Sequence, residues 1–423
     1  MQKNDTENKE RENGNKKGIK AVIASFAIQL TLGVCYIWSV FQTGVAISVF
    51  GGNHAHAGLA FSILLAFLSF FSPVAGKLSA KHGTRKVVFS GGILLGIGFF
   101  LASLTTAGNG WLLWLGYGVI GGIGMGLTYS TTIGLAQKWF PNKKGLVTGI
   151  IVAGLGLGGV VFTPIIEFSI QHFGGIGYGE FGTFAVLAVV FLAVCSIGSI
   201  FLAEPPKIEA KNNKEASKNA ASASISNDVS PAEMLKKLSF YLVTFTFLLS
   251  VVGGLMMIAF ARPIAVARDL EHVATIGVLS IAMANSLGRL FWGAISDKLG
   301  RINTVFILLL GSAVLSLLVN VVDGYLIFIV IALIGFLFGG FLSNFPSLTA
   351  ELFGVKNLAT NYGFVLFGFG IGAIAASQIG GHFMNIASED ISLLAPAFII
   401  AAVCALVGFV LIFLLKANLK KTA

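Results

Sequence analysis

Charged residues are scarce in this sequence. Asp, Glu, Lys and Arg together make up 11% of its 423 residues, whereas a soluble globular protein needs roughly 25% to cover its surface. Hydrophobic residues make up 56%. A chain with so few charges must face lipid over most of its surface, which argues against a soluble enzyme or a soluble binding module.

Cysteine and phosphate-binding motifs are also rare. Each of the three cysteines, Cys35, Cys195 and Cys404, lies inside an apolar run, and their spacing fits neither a metal site nor a disulfide framework. There is no Walker-type phosphate loop, which argues against direct driving by ATP. We therefore expect no metal and no cofactor.

Long apolar runs are what the sequence has in abundance. A helix that crosses ~30 Å of hydrocarbon needs about 20 mostly apolar residues, because lipid cannot satisfy an exposed backbone polar group. We predict twelve transmembrane helices, at residues 19–43, 56–78, 86–107, 111–137, 145–171, 181–203, 239–262, 273–295, 303–322, 325–350, 358–384 and 391–416.

The positive charges lie mostly on one side of these predicted spans. An even number of spans puts both termini on the same side, and 25 of the 28 Lys and Arg residues fall in the segments of that side. Such an excess marks the cytoplasmic face. The net charge of +10 therefore reflects topology and not a nucleic-acid partner. We expect a multi-pass protein of the cell membrane with cytoplasmic termini, residues 1–18 forming a disordered tail and residues 417–423 a short one.

The chain reads as two halves. A polar stretch rich in Ala, Ser, Asn and Lys, residues 204–238, separates residues 19–203 from residues 239–416 and is interpreted as a cytoplasmic linker. A short motif recurs 217 residues apart, as Gly76, Lys81, Gly83 and again as Gly293, Lys298, Gly300. Two six-helix bundles related by pseudo-two-fold symmetry, with a site between them, are typical of transporters.

Two ionisable residues lie clearly inside predicted spans. Arg289 comes eight residues before Asp297, which puts it about 12 Å above the cytoplasmic end of its helix. It is either a fixed cation for an anionic substrate or an arginine bonded to the backbone carbonyls of a neighbouring helix. Glu167 lies about 33 Å along its helix from Gly145, near the outer surface. It is either a hydrated helix end or a proton-coupling carboxylate.

Polar and aromatic residues accompany Arg289. Asn285 precedes it by one helical turn and shares its helix face. Tyr36 and Tyr129 would add hydroxyl donors, and Phe341 and Phe345 would form an apolar wall. From the sequence alone, packing is the favoured interpretation of these aromatic residues, and contact with a ligand is the alternative.

Four stretches carry a resemblance to a known family: GVCYIWSVF (33–41), QKWFPNKKGLVTGI (137–150), NSLGRLFWGAISDKLGR (285–301) and FGGFLSNFPSLTAELFGVKNLATNYG (338–363). Together they resemble the major facilitator superfamily, in particular its oxalate/formate antiporter branch, which also contains monocarboxylate transporters. The resemblance implies an all-α integral membrane fold in which Arg289 binds a substrate carboxylate and Asn285, Tyr36, Tyr129, Phe341 and Phe345 line the cavity. The repeated loop motif implies a cytoplasmic gate formed by Gly76, Gly83, Arg85, Gly293, Asp297, Gly300 and Arg301.

The sequence departs from the family pattern at two positions. Phe369 stands in the region of span eleven where the dicarboxylate transporter has a second cation, a lysine, so a single arginine would balance a single carboxylate. Ala80 stands where the first loop motif usually has Asp, which leaves Asp297 as the intact copy.

We therefore expect a monomeric secondary transporter, not an enzyme, that moves a small monocarboxylate such as lactate, pyruvate or formate. Alternating access with proton symport or anion exchange would avoid carrying uncompensated charge. One alternative is an exporter of larger apolar or amphiphilic compounds in the same fold. Another is a membrane sensor that binds the anion and signals through the linker.

Overall fold

A computed structural model describes residues 2–205, 228–267, 274–386 and 394–422. These residues form helices and no strand, in the order that the apolar runs predict. Helix α1 consists of Gln2–Leu32, a 3₁₀ turn at Gly33–Ile37, and Trp38–Phe50. The others are α2 (His54–His82), α3 (Thr84–Ser103), α4 (Trp111–Trp139), α5 (Lys144–His172), α6 (Gly179–Ile200), α7 (Leu238–Ala267), α8 (Ala274–Leu299), α9 (Arg301–Leu318), α10 (Leu326–Phe353), α11 (Leu358–Ile386) and α12 (Ala395–Thr422).

These helices have the length and polarity of membrane spans. Ten of those in the described part are long and apolar enough to cross a membrane, and α1 and α8 complete the predicted set of twelve. Large apolar side chains cover the outside of the molecule: Phe168 is 73% exposed and Val189 is 67% exposed. In water, leaving this surface exposed would lose about 25 cal/mol of hydrophobic stabilisation per Å² of apolar surface. The surface is therefore suited to lipid.

The first helix is longer than its apolar run. Residues 2–18, for which the sequence predicts a disordered tail, belong to the helix Gln2–Leu32. Lys and Glu are frequent there, and these residues have good helix propensity although they cannot form a core. The apolar part of the helix then continues through the 3₁₀ turn to Phe50.

Glycines allow the helices to approach closely. In the first bundle, the Gly91 region of α3 packs on the Gly124 region of α4, and Gly98 packs on Gly116, with backbone atoms where side chains would otherwise lie. Small residues at such crossings replace the hydrophobic driving force that lipid does not supply. The high glycine content of the sequence, 53 residues, is consistent with this kind of packing.

The two bundles meet along two pairs of helices, α5 with α8 and α2 with α11. The pairs are related by the repeat, since α2 and α8 each carry one copy of the loop motif. Gly83 and Gly300, which end these helices, have almost the same backbone angles, with φ of 86° and 81°. This region favours glycine. We name the end of the molecule that carries both motifs the gate end; the Lys and Arg distribution predicts that it is cytoplasmic.

The end of the linker is attached to the gate end of the second bundle. The backbone N–H of Val229 donates to the Phe353 carbonyl, and the Val229 carbonyl accepts from the side-chain amides of Asn357 and Asn361. Ser230 then caps the one-turn helix Pro231–Met234, and its hydrogen bonds hold the pKa of Glu233 below its ordinary value. Residues 206–227, most of the predicted linker, lie outside the described residues.

Candidate functional site

Arg289 is deeply buried where the two bundles meet. Its side chain is 1% exposed. The Nε atom donates to Oδ1 of Asn285 at 2.8 Å, one turn earlier on α8, and Nη1 donates to the backbone carbonyl of Val152 on α5 at 2.7 Å. The guanidinium therefore joins one bundle to the other. Of the two interpretations that the sequence left open, the carbonyl of a neighbouring helix is present as a partner, and the role as a cation for an anionic substrate stays a prediction.

The close approach of α5 and α8 depends on small residues. Gly149 faces the Arg289 carbonyl so closely that an added Cβ would lie 2.5 Å from it, and Gly145 and Gly293 abut each other nearer the gate end. Farther along α5, Gly156 packs on Ser286. These glycines recur at helical spacing along one face of α5, so the sequence itself supplies the smooth surface that lets the arginine reach Val152.

Two tyrosines meet beside the arginine. Tyr129 of α4 and Tyr362 of α11 are both buried, and their ring centres lie 6.4 Å apart. Tyr129 also lies within electrostatic range of Arg289. Like the arginine, this pair spans the two bundles, because α4 belongs to the first and α11 to the second.

A glutamine of α1 holds the tyrosine region in position. The Gln29 side-chain amide donates to the Tyr129 carbonyl at 3.2 Å and to Oγ1 of Thr132 at 2.9 Å. Gln29 is fully buried, and its Oε1 has no hydrogen-bond partner among the described residues. An amide acceptor buried in this way is costly unless something pairs with it.

The predicted apolar wall forms a separate aromatic cluster. Phe341 and Phe345 of α10 are fully buried, with ring centres 6.3 Å apart. Phe345 stacks on Phe247 of α7 at 4.1 Å, and Phe247 lies 5.9 Å from Phe369 of α11. Phe369 thus occupies this cluster with an apolar ring. Phe341 also lines a small cavity inside the second bundle, together with Ser250 and Ser316.

Two other predicted residues are not brought to the arginine. Glu167 is exposed on α5, fifteen residues beyond the Val152 carbonyl that Arg289 contacts, or about 22 Å along the helix. The side chain of Tyr36 lies outside the described part of the chain; its backbone belongs to the 3₁₀ turn of α1. Neither side chain therefore contributes a described contact to the site.

The intact loop motif ties α8 to α5 at the gate end. The Asp297 carboxylate accepts hydrogen bonds from the backbone N–H groups of Gly145 at 3.1 Å and Leu146 at 2.9 Å, in the first turn of α5. Arg301 pairs with the same carboxylate. First-turn amides lack intrahelical partners and carry partial positive charge, so a carboxylate is well suited to this position.

The first copy of the motif makes a different contact. Gly76 on α2 abuts Ala359 and Thr360, the start of α11. Ala80, the position that corresponds to Asp297, contributes no carboxylate. Arg85 is exposed, and Gly83 provides the left-handed turn between α2 and α3. This contact between the bundles therefore rests on close packing.

The glycine contact gives a direct test of the α5–α8 geometry. We expect Gly149→Ala to lower the transport rate at least about tenfold, because the new methyl group must push the Arg289 backbone away and weaken its bond to Val152. Gly159→Ala is a matched control, since a Cβ at Gly159 on the same helix meets nothing within 4 Å. Initial uptake rates of both variants in proteoliposomes measure the difference. Equal rates would contradict the role given to the contact.

Sequence reasoning missed Tyr362 and Gln29. The prediction relied on charged residues inside the spans, whereas Tyr362 and Gln29 are neutral. Tyr362 lies within a stretch used only for the family resemblance, and Gln29 interrupts the first apolar run. A search for neutral hydrogen-bonding side chains at mid-span would have found both, because such groups also need partners in lipid.

The fold places a buried cation between two glycine-lined helical bundles, an arrangement that fits a membrane carrier. The sequence profile of the Major Facilitator Superfamily matches residues 21–284 and 244–422. The chain belongs to this family of transporters and is therefore not an enzyme.

Related proteins agree with this assignment. The chain is 33% identical over 361 residues to an uncharacterized MFS-type transporter, YhjX, of Escherichia coli strain K12, covering 84% of this chain and 85% of the relative. It is 27% identical over 403 residues to the oxalate:formate antiporter of Oxalobacter formigenes, covering 92% and 89%. It is 25% identical over 371 residues to apicoplast pyruvate carrier 1 of Toxoplasma gondii, covering 74% and 66%.

A solved structure of the same architecture confirms the fold. The fucose:proton symporter of Escherichia coli superposes with a TM-score of 0.69 at 15% identity, covering 94% of this chain and 98% of the symporter. The predicted twelve-helix major facilitator fold is thus confirmed.

Proposed function

We propose that this protein is a secondary transporter for a small organic monocarboxylate of the lactate, pyruvate or formate type. The observation that carries the proposal is Arg289, which is 1% exposed between the bundles and donates to the Val152 carbonyl of α5. Guanidinium stays charged and matches the geometry of a carboxylate. A cation at this depth is costly, and a functional anion partner explains its presence.

The bond from Arg289 to Val152 suggests how the site would work. A backbone carbonyl is a neutral acceptor, whereas an ionised carboxylate adds charge attraction and can pair with the guanidinium through two parallel hydrogen bonds. An incoming carboxylate would therefore compete with the Val152 carbonyl for the guanidinium. Because that carbonyl belongs to the opposite bundle, the exchange would loosen one inter-bundle contact and favour the movement that alternating access requires.

The surroundings favour a substrate with one negative charge. Phe369 stands in the region where the resemblance implies a lysine in the dicarboxylate transporter, and the aromatic cluster to which it belongs supplies no second cation. One relative is named for oxalate and formate and another for pyruvate, so small carboxylates are the common class. One guanidinium for one carboxylate is the simplest balance of charge.

The transport cycle must compensate the negative charge of the substrate. Moving one elementary charge against the membrane potential costs ~2.3 kcal/mol per 100 mV, so either a proton moves with the anion or a second anion moves the other way. Glu167 remains a candidate for proton coupling although it lies far from Arg289 along α5. A proton bound by the substrate itself would need no such residue.

We further propose that the protein is a monomer of the cell membrane whose termini and gate end face the cytoplasm. This orientation rests on the distribution of Lys and Arg. The linker, residues 204–238, would then join the two bundles on the cytoplasmic side.

Flux measurements test the proposal. The purified protein is reconstituted in liposomes, and labelled formate, lactate, pyruvate and oxalate are offered with either a pH gradient or the unlabelled anion inside. We expect saturable uptake of a monocarboxylate, with oxalate slower; stimulation by the pH gradient indicates symport, and stimulation by the trapped anion indicates exchange. Absence of carboxylate uptake, together with movement of a larger apolar dye, would instead favour the exporter.

A further inference from the structure

A buried carboxylate lies at the start of α6, outside the site around Arg289. Glu180 is 1% exposed, and within the described ranges of the chain no other Asp or Glu is buried. Because α5 runs away from the gate end and α6 follows it after the turn at residues 173–178, Glu180 lies at the opposite end of the molecule, which we name the outer end. The predicted sixth span begins one residue later, so the search for charges inside spans did not include Glu180.

The Glu180 carboxylate packs against the backbone of α1. Its two oxygens share the backbone N–H of Gly177, at 3.1 Å and 2.9 Å, and a Cβ built on Gly44 of α1 would overlap them. One turn along α6, Phe184 stacks on Phe41 of α1 with ring centres 4.7 Å apart. No Lys, Arg or His in the described part of the chain forms an ion pair with Glu180. Burial without a cation penalises the ionised form of a carboxylate, so this environment favours a bound proton.

The described helices that pack chiefly on α6 bring no buried charge to the outer end. They are α1, α3 and α5. Residues 38–50 of α1 and residues 91–103 of α3, which lie toward the outer end, contain no ionisable side chain. The ionisable side chains at the outer end of α5 and in the turn that follows it are all exposed: Glu167, His172 and Tyr178. Water and salt screen exposed charges, so the protonation of Glu180 depends mainly on whether water reaches its carboxylate.

The part of α1 that contacts this carboxylate is connected to the central site by a short turn. The 3₁₀ turn Gly33–Ile37 joins the two parts of α1. Gly33 abuts the Leu155 carbonyl of α5, one turn from Val152, whose carbonyl accepts a hydrogen bond from the central arginine. A displacement of the outer part of α1 would therefore act on the region of α5 that holds the arginine.

We propose that Glu180 is a protonatable positioning residue for transport, which holds the outer part of α1 in place when it is neutral and releases it when it is ionised. An ionised carboxylate would draw water between α1 and α6, because the buried contact cannot replace its hydration. Release of α1 would loosen its turn from α5 and weaken substrate binding at the central arginine. The proton comes from water at the outer end and returns to it, so it is not the coupled ion. The inference rests on the proposed function, because it concerns the affinity of the same transport site.

The pH dependence of transport separates Glu180 from the exposed Glu167. Exchange of the monocarboxylate that the parent takes up fastest is measured with equal pH on both sides of the liposome, from pH 5.5 to 8, where a simple carboxylate stays ionised. We expect the KM of the parent to rise at least about fivefold over this range, whereas Glu180→Gln, which resembles the neutral form, keeps the low KM throughout. Glu167→Gln is the matched control and should follow the parent. If Glu180→Gln follows the parent as well, the proposal is overturned.

Thermal unfolding tests the protonation of Glu180 without any transport. A carboxyl group that is neutral in the folded protein stabilises it at low pH, and this stabilisation is lost as the pH rises toward the folded-state pKa. The Tm of the parent should therefore fall relative to that of Glu180→Gln between pH 5.5 and 8, by about 2 °C or more, and Glu167→Gln should again follow the parent.

The two measurements fail in different ways. Parallel Tm profiles of the parent and Glu180→Gln would overturn the protonation of Glu180, and a Tm difference with identical KM profiles would overturn its link to the transport site. If the parent takes up no carboxylate, the proposed function fails, and the Tm comparison still decides whether Glu180 binds a proton.

Discussion

Arg289→Gln is expected to lower monocarboxylate uptake about a hundredfold. Removing one partner of a buried charge pair costs about 3 kcal/mol, and each 1.4 kcal/mol is a factor of ten. Glutamine is the informative replacement because its amide can still donate to Asn285 or to Val152, so that the helix contact is preserved while the charge is lost. Initial rates over a range of substrate concentrations in proteoliposomes measure the effect.

Two further variants sharpen the test of Arg289. Arg289→Lys keeps the charge but loses the planar fork, so we expect an intermediate rate. Lys416→Gln removes a cation far from the site, where Lys416 on α12 contacts Asn303 at 2.9 Å, and should transport like the parent. If Arg289→Gln takes up the substrate at the rate of the parent protein, the arginine serves only to hold α8 against α5.

Asp297→Asn is expected to open the gate end. The substitution keeps the shape of the side chain but removes the charge that pairs with Arg301 and with the first turn of α5. The arginine side chain is 8% exposed and the aspartate side chain 19%, so the loss should cost about 2 kcal/mol, below the range for a fully buried pair. This corresponds to a shift of about thirtyfold toward the open gate.

Thiol labelling measures that shift. Ser286 is buried in the α5–α8 contact against Gly156, so a Ser286→Cys variant with the native cysteines replaced by serine reports separation of the two helices. The matched control is Glu351→Gln, because Glu351 lies 3.8 Å from Arg301 and is 57% exposed, where an ion pair contributes less than about 1 kcal/mol. If Asp297→Asn and Glu351→Gln, each in the Ser286→Cys background, are labelled at the same rate, the Asp297 contact does not close the gate.

Part of this arrangement follows directly from the sequence. The number of spans is predictable because the thickness of the bilayer sets the length of each apolar run. The depth of Arg289 and the position of Asn285 are predictable because helical rise and periodicity are fixed. The paired turns at Gly83 and Gly300 are detectable because glycine alone readily adopts the backbone angles that they need.

Other parts could not be predicted from the sequence. Every residue has a backbone carbonyl, so nothing marks Val152 as the partner of Arg289. The contact between Tyr129 and Tyr362 depends on how two bundles dock, which the sequence of neither bundle encodes locally. The helical backbone of residues 2–18 was not predicted, because their low hydrophobic content was interpreted as a disordered tail.

The two bonds from α8 to α5 have one mechanical consequence. Arg289 and Asp297 are eight residues apart on a single helix, about 12 Å, and each is fastened to α5, one through a carbonyl and the other through amides. A helix that is hydrogen-bonded to its neighbour at two points cannot rotate away from it until one of the two contacts breaks. In the proposed mechanism, a substrate that binds the guanidinium would release the Arg289 contact first, and the Asp297 contact would break in a later step.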